Sequence, residues 1–163
     1  MSGRHVQIRD ARAQDAGAAC EIMRQSIAQL CGADHHDDRM MLERWLRNKR
    51  PDIVVGWAKE EGNSPLVAVD GDAVLAVGSV RDSGEITLNY VAPEARFQGV
   101  SSALLAALEA RAAARGNARC TLTSTETAHR FYLSRGYVDE GPPRGHFGTS
   151  AGYPMSKPIT ASA

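Results

Sequence analysis

The segment from Val91 to Leu105, VAPEARFQGVSSALL, constrains this chain more than any other. It passes from an apolar strand, through a short polar loop holding one glycine, into a helix rich in Ala and Leu. Gly99 lets the backbone approach a ligand closely, because no Cβ intervenes. The amides of Gln98, Gly99, Val100, Ser101 and Ser102 fall in the first helical turn, where the helix supplies no acceptor of its own. Free N–H groups backed by the positive end of a helix dipole make a site for phosphate. Such a loop sits at the carboxyl end of a strand whose parallel neighbour is reached through a crossover helix, so the fold class is α/β, of the mixed α+β kind.

The flanking patterns agree. Residues 6–9 alternate apolar and polar as a half-buried strand does. Asp15 is placed to cap a helix whose stripe is Ala19, Ile22, Met23, Ile27 and Leu30, and Gly32 ends it. Asp37 or Asp38 caps a second helix carrying the i,i+4 pairs Met41/Trp45 and Leu42/Leu46, and Pro51 opens a third. From residue 65 the period becomes extended: strands over 66–69 and 73–80 flank the turn Asp70-Gly71-Asp72, and another strand covers 85–91. Helices over 101–115 and 125–135 alternate with strands over 119–123, around Tyr137 and over 153–159. Gly, Pro and polar residues make 141–152 a long loop.

A length of 163 residues suits one domain, with a core spanning 6–157. Nineteen basic residues balance nineteen acidic ones, so no global field recruits nucleic acid or an anionic membrane. Cys20, Cys31 and Cys120 are odd in number and lack metal-type spacing, which reads as reduced thiols in the cytoplasm. Residues 1–9 lack the apolar run of a leader, and no stretch approaches the ~20 apolar residues of a membrane span.

A second informative segment is Ala128-His129-Arg130-Phe131-Tyr132-Leu133-Ser134-Arg135-Gly136-Tyr137. In this order the two segments resemble the acetyl-CoA-binding core of the GNAT N-acetyltransferases. Trp45-x-x-x-Lys49-x-Pro51 looks like the small bacterial members. The resemblance implies a GNAT-like acyl-CoA N-acyltransferase fold: a mixed, mostly antiparallel sheet of about six or seven strands with a splayed parallel pair, flanked by about four or five helices. It also implies the reaction, transfer of acetyl from acetyl-CoA to a primary amine of a small molecule or peptide within a ternary complex. Acetyl-CoA would be the cosubstrate, with no metal; association as a homodimer is common in the family.

Residue by residue, the family's phosphate loop is Arg or Gln, two residues, Gly, one residue, then Gly or Ala. Here it is Arg96, Gly99 and Ser101, with Phe97 where relatives carry glycine or a basic residue. Backbone of Asn89, Tyr90 and Val91 would pair with the pantetheine arm as an added strand, and an amide near Val91 would polarise the thioester. Ala128, Phe131 and Tyr132 match the pattern whose tyrosine lies beside the coenzyme sulfur and protonates the leaving thiolate. Thr125 stands where relatives have Asn on the coenzyme arm, and it equally serves as a helix cap. Glu85, thirteen residues before Gln98, matches the glutamate of the histone-acetylating branch; it reads either as general base or as a solvated carboxylate at a strand start. His35 and His36 lie in the region that roofs the acceptor pocket in the family. A different class of function, a non-catalytic acyl-CoA-binding or sensing module, is kept open by the departures at Phe97, Ser101 and Thr125.

Overall fold

The computed structural model of the protein describes residues 5–146 and 149–160; residues 1–4 of the polar start lie outside the described residues. Strand β1 (Gln7–Asp10) leads into a single 3-10 turn and then α1 (Ala16–Leu30), which buries Ala19, Cys20, Met23 and Ile27 at helical spacing. Asp15 does precede α1, but its carboxylate turns backwards instead of capping the helix. It accepts from the Arg9 guanidinium (2.8 and 3.0 Å) and the Arg12 amide (2.7 Å), and Arg9 holds its pKa below the usual value. Gly32 does not end α1 but opens a one-turn helix α2 (Gly32–His35); the left-handed stop falls on His36 (φ 51) and Asp37 (φ 56). Asp38 then caps α3 (Arg39–Leu46), accepting from the amides of Met40 and Met41, and Pro51 opens α4 (Pro51–Lys59).

Strands β2 (Asn63–Asp70), β3 (Ala73–Arg81) and β4 (Ile86–Val91) extend β1 into an antiparallel sheet of order β1-β2-β3-β4. After α5 (Val100–Ala114) come β5 (Arg119–Ser124), α6 (His129–Ser134) and β6 (Val138–Asp139). The long final strand β8 (Thr149–Pro158) pairs with β5, β6 and β7 (Arg144–His146). Two of these elements differ from the sequence reading. Of the 141–152 stretch, read as a long loop, residues 147–148 lie outside the described residues, while β7 pairs antiparallel with the start of β8, Arg144 opposite Gly152 and His146 opposite Thr149. The helix expected from Thr125 starts at His129, because the amides of Glu126 and Thr127 are captured from outside the helix.

Among the described residues, one backbone bridge joins the two sheets. Glu85 and Thr121 form a lone parallel bridge, and the Thr121 amide donates to Gly84 O (3.1 Å). Gly84 makes this approach feasible: its φ is +90°, and a Cβ there would lie 2.6 Å from Arg119 O. Beyond the bridge β4 and β5 have no further pairs and diverge, which is the splayed parallel arrangement expected. Helix α5 covers the junction, burying Val100, Leu104, Leu105 and Leu108 against the sheets in the main core. Among the described residues no helix is long and apolar enough to cross a membrane, and all three cysteines are free and buried.

Candidate active site

Where β4 and β5 part, a cleft of about 480 Å³ opens, walled by both strands, the α5 N-terminus, α6 and the end of α1. Strand alternation decides which backbone faces it. The Ala92 amide donates to Leu75 O (2.8 Å) and Tyr90 is registered opposite Val77, so Tyr90 and Ala92 turn their polar groups towards β3. Alternation then directs the N–H and C=O of Asn89 and Val91 into the gap, where no strand meets them. Tyr90 differs from its expected role in side chain as well. Its hydroxyl accepts from Trp45 Nε1 (3.3 Å), beside the smaller core of Ile27, Cys31 and Trp45.

At the mouth, a 3-10 turn (Pro93–Ala95) hands the chain to Arg96, Phe97 (φ 65°) and Gly99 (φ 78°), and α5 begins at Val100. The first helical bond runs from the Ala103 amide to Gly99 O (3.1 Å), so the amides of Val100, Ser101 and Ser102 precede the ladder. All three residues line the cleft, and nothing lies within 4 Å of where a Gly99 Cβ would be. Arg96 and Phe97 also line it; the guanidinium sits 4.6 Å above the ring, and Phe97 is 90% exposed. Gln98 is not part of the wall. Its side-chain amide donates to Glu94 O (3.1 Å) and braces the loop.

Tyr132 reaches the cleft from α6 with only 6% of its surface exposed, packed edge-on against Phe131 and Tyr137. Burial pushes its phenol up to about 12, against a small opposing pull from the Asn89 Nδ2 that donates to it (3.2 Å). The side chain of Asn89 is therefore a second feature of the site, beyond the backbone for which the sequence singled it out. Thr125 lines the same wall and its hydroxyl accepts from the Ala128 amide (3.1 Å), the cap it resembled. The turn it belongs to is held by Asp34, which is 1% exposed and accepts from the Glu126 amide (2.6 Å), the Thr127 amide (3.1 Å) and the Thr127 hydroxyl (2.6 Å). This clamp had no signature in the sequence.

The remaining expected residues lie elsewhere. His35 is buried and lines neither this cleft nor its neighbour: Nδ1 accepts from the Asp37 amide (3.0 Å), which leaves the proton on Nε2 to be donated to Ile27 O (3.0 Å). His36 is exposed at the end of α2, outside both cavities. Glu85 lines a second cavity of about 310 Å³, half-exposed and paired with Arg81 (3.4 Å). That cavity shares Ile86, Thr87, Leu88 and Thr123 with the cleft, so the two spaces lie on either side of one wall. Among the described residues no group of His, Cys, Asp and Glu is arranged to hold a metal.

A family model described as an acetyltransferase (GNAT) domain matches residues 47–158. No curated protein matches the sequence. Among solved structures, a GCN5-related N-acetyltransferase from Rhodopseudomonas palustris superimposes with a TM-score of 0.83 at 26% identity, over 98% of each chain. The PaiA N-acetyltransferase from Thermoplasma acidophilum, solved in complex with coenzyme A, gives 0.82 at 18% identity, over 98% of this chain and all 100% of that one. A Salmonella typhimurium protein solved with its cofactor acetyl-CoA gives 0.72 at 20% identity, over 98% and 96%. The last two show a shared fold. The family match takes in well over half of the chain, and the strand–glycine–helix segment over 91–105 lies inside that match, so the protein belongs to the GNAT acetyltransferase family and is an acyltransferase.

Proposed function

We propose that this acyltransferase moves acetyl from acetyl-CoA to a primary amine by direct attack within a ternary complex, as one domain over residues 1–163 with its core at 6–157. The observation that carries the reading is the unpaired backbone of Asn89 and Val91 facing a cleft into which Tyr132 also reaches. An extended pantetheine arm fills that gap as an extra strand. Its diphosphate rests on the amides of residues 100–102 at the α5 N-terminus, with Arg96 beside it. The Val91 amide then polarises the thioester carbonyl and holds the tetrahedral oxyanion.

Tyr132 protonates the departing thiolate. A phenol near 12 is a weak acid for a free thiol of pKa about 8.5. Desolvation acts on both partners in the same direction: Cys31, a thiol on the same wall, is also pushed up by burial, and a thiolate leaving into a water-poor cleft gains basicity likewise. The amine, with a reference pKa near 10.4 if lysine-like, loses its proton to Glu85 at the neighbouring wall, directly or through water. Three buried free thiols suit a reducing compartment, and we place the reaction in the cytoplasm.

Calorimetry with CoA, followed by an amine screen with free-thiol detection, tests the reading. Tyr132→Phe should lower kcat by about 10²–10⁴-fold with CoA affinity within about twofold of the parent. An unchanged kcat removes Tyr132 from the chemistry, and CoA uptake without turnover of any amine would make the protein a sensor.

A further inference from the structure

The second cavity holds a buried cation that, among the described residues, no carboxylate pairs with. Lys49 lines it from the turn between α3 and α4, yet is only 3% exposed. Its ammonium donates to Asn48 Oδ1 (2.7 Å), and among the described residues no carboxylate forms an ion pair with it. The two carboxylates of the cavity, Glu60 and Glu85, are drawn to Arg81 instead, at 3.9 and 3.4 Å. A buried ammonium with one neutral acceptor is costly unless something else supplies negative charge. The backbone that aims it is fixed, because Arg24 donates to both Leu46 O (3.2 Å) and Lys49 O (3.3 Å). Burial lowers the pKa of this amine to about 8, so it still carries its proton in most molecules at neutral pH.

The cavity thus carries a buried cation from the α3–α4 turn and, separately, the half-exposed Arg81 paired with Glu60 and Glu85. Glu85 precedes Ile86 and Thr87 on the wall shared with the coenzyme cleft, while Lys49 enters from the α3–α4 turn without pairing with either carboxylate. An acceptor with an amine at one end and an anion at the other matches both features, and 310 Å³ accommodates a molecule larger than a simple amine. Resting on the acetyl-transfer reading, we propose that Lys49 sets the acceptor class: the second cavity takes an amino carboxylate, its anionic end held by the Lys49 ammonium and its amine presented at the shared wall. Lys49 acts there by binding, and no proton transfer is assigned to it.

Matched probes test this: aminohexanoate against hexylamine, and leucine against leucinamide, with the parent protein and Lys49→Met. The parent should favour the carboxylates by about tenfold or more in kcat/KM, the range of a charge-assisted hydrogen bond. Lys49→Met should erase the preference through KM, with kcat and CoA affinity close to the parent. The same carboxylates should raise the melting temperature of the CoA-loaded parent and leave that of the variant unmoved. Amines favoured equally by the parent, a preference that survives in the variant, or the absence of both preference and thermal shift overturns the proposal. A variant that loses kcat at unchanged KM also overturns it and makes Lys49 a proton acceptor. Failure of CoA to bind at all strikes instead at the acetyl-transfer reading beneath.

Discussion

The two cavities that share the first residues of β4 are made of different materials. The larger cleft presents main chain: the free edge of Asn89 and Val91, and the helix amides of residues 100–102. The smaller presents side chains, with Lys49, Arg81, Glu60 and Glu85 delivered by separate elements. Main-chain donors are set by the fold and tolerate sequence change, whereas a cavity lined with charges changes character with each substitution. A family that keeps one donor and varies its acceptors would be built in this way.

The contrast has a weak point, and the largest expected effect falls there. One turn on the wall of the main-chain cleft is tied down by a distant side chain, Asp34, whose carboxylate takes three hydrogen bonds from residues 126–127. Asp34→Ala should lower unfolding free energy by about 3–5 kcal/mol, because buried donors lose a charged acceptor. A loss below about 1 kcal/mol in chemical denaturation would show that the turn stands without it.

Next comes the charge in the smaller cavity. The folded pKa of Lys49 is lowered from 10.5 to about 8, so between those values the unfolded chain holds a proton that the folded protein has released. Stability contributed by this group therefore rises with pH across that window. Below it the buried ammonium costs up to about 3 kcal/mol, which Lys49→Met should recover, the gain fading as pH approaches 10.5. Cys31 and Cys120, raised by burial to about 12 and about 11, act in the opposite sense above their ordinary value of 9.0. The readout is accordingly the difference between variant and parent in urea melts; a flat difference across pH 7–10 contradicts the assignment.

Two smaller substitutions sharpen the same contrast. Gly99→Val forces a β-branched residue into φ 78° at the mouth of the cleft, and should weaken CoA binding by about tenfold in calorimetry. Gln98→Ala removes a side chain engaged with Glu94 O, and should leave that affinity within about twofold. A larger effect of Gln98→Ala would mean that side chains share the phosphate load after all.

Features written in short-range patterns could be anticipated from the chain alone. The α5 stripe, the 70–72 turn and the Gly99 loop depend on neighbours within one or two turns of chain, and the structure reproduces each. Asp34 could not be anticipated, since its partners lie 92 and 93 residues away and its own surroundings read as a polar loop. The late start of α6 follows from the same contact: Thr125 signals a helix locally, but tertiary capture of the next two amides overrides it. His35 is singled out by the family resemblance of its region alone, and the fold buries it, with Ile27 O and the Asp37 amide engaging its ring. Asn89 and Lys49 were visible as members of motifs, while the phenol and the cavity that give them meaning appear only in three dimensions.

The lone bridge between Glu85 and Thr121 carries a further consequence. A β-layer interrupted by a wedge borrows its missing rung from whatever enters, and the free energy of that entry is added to resistance against unfolding. Hydrogen exchange at Asn89 and Val91 should then slow on loading more than anywhere in β1 or β2, so the lifetime of the polypeptide would follow the supply of its own reactant.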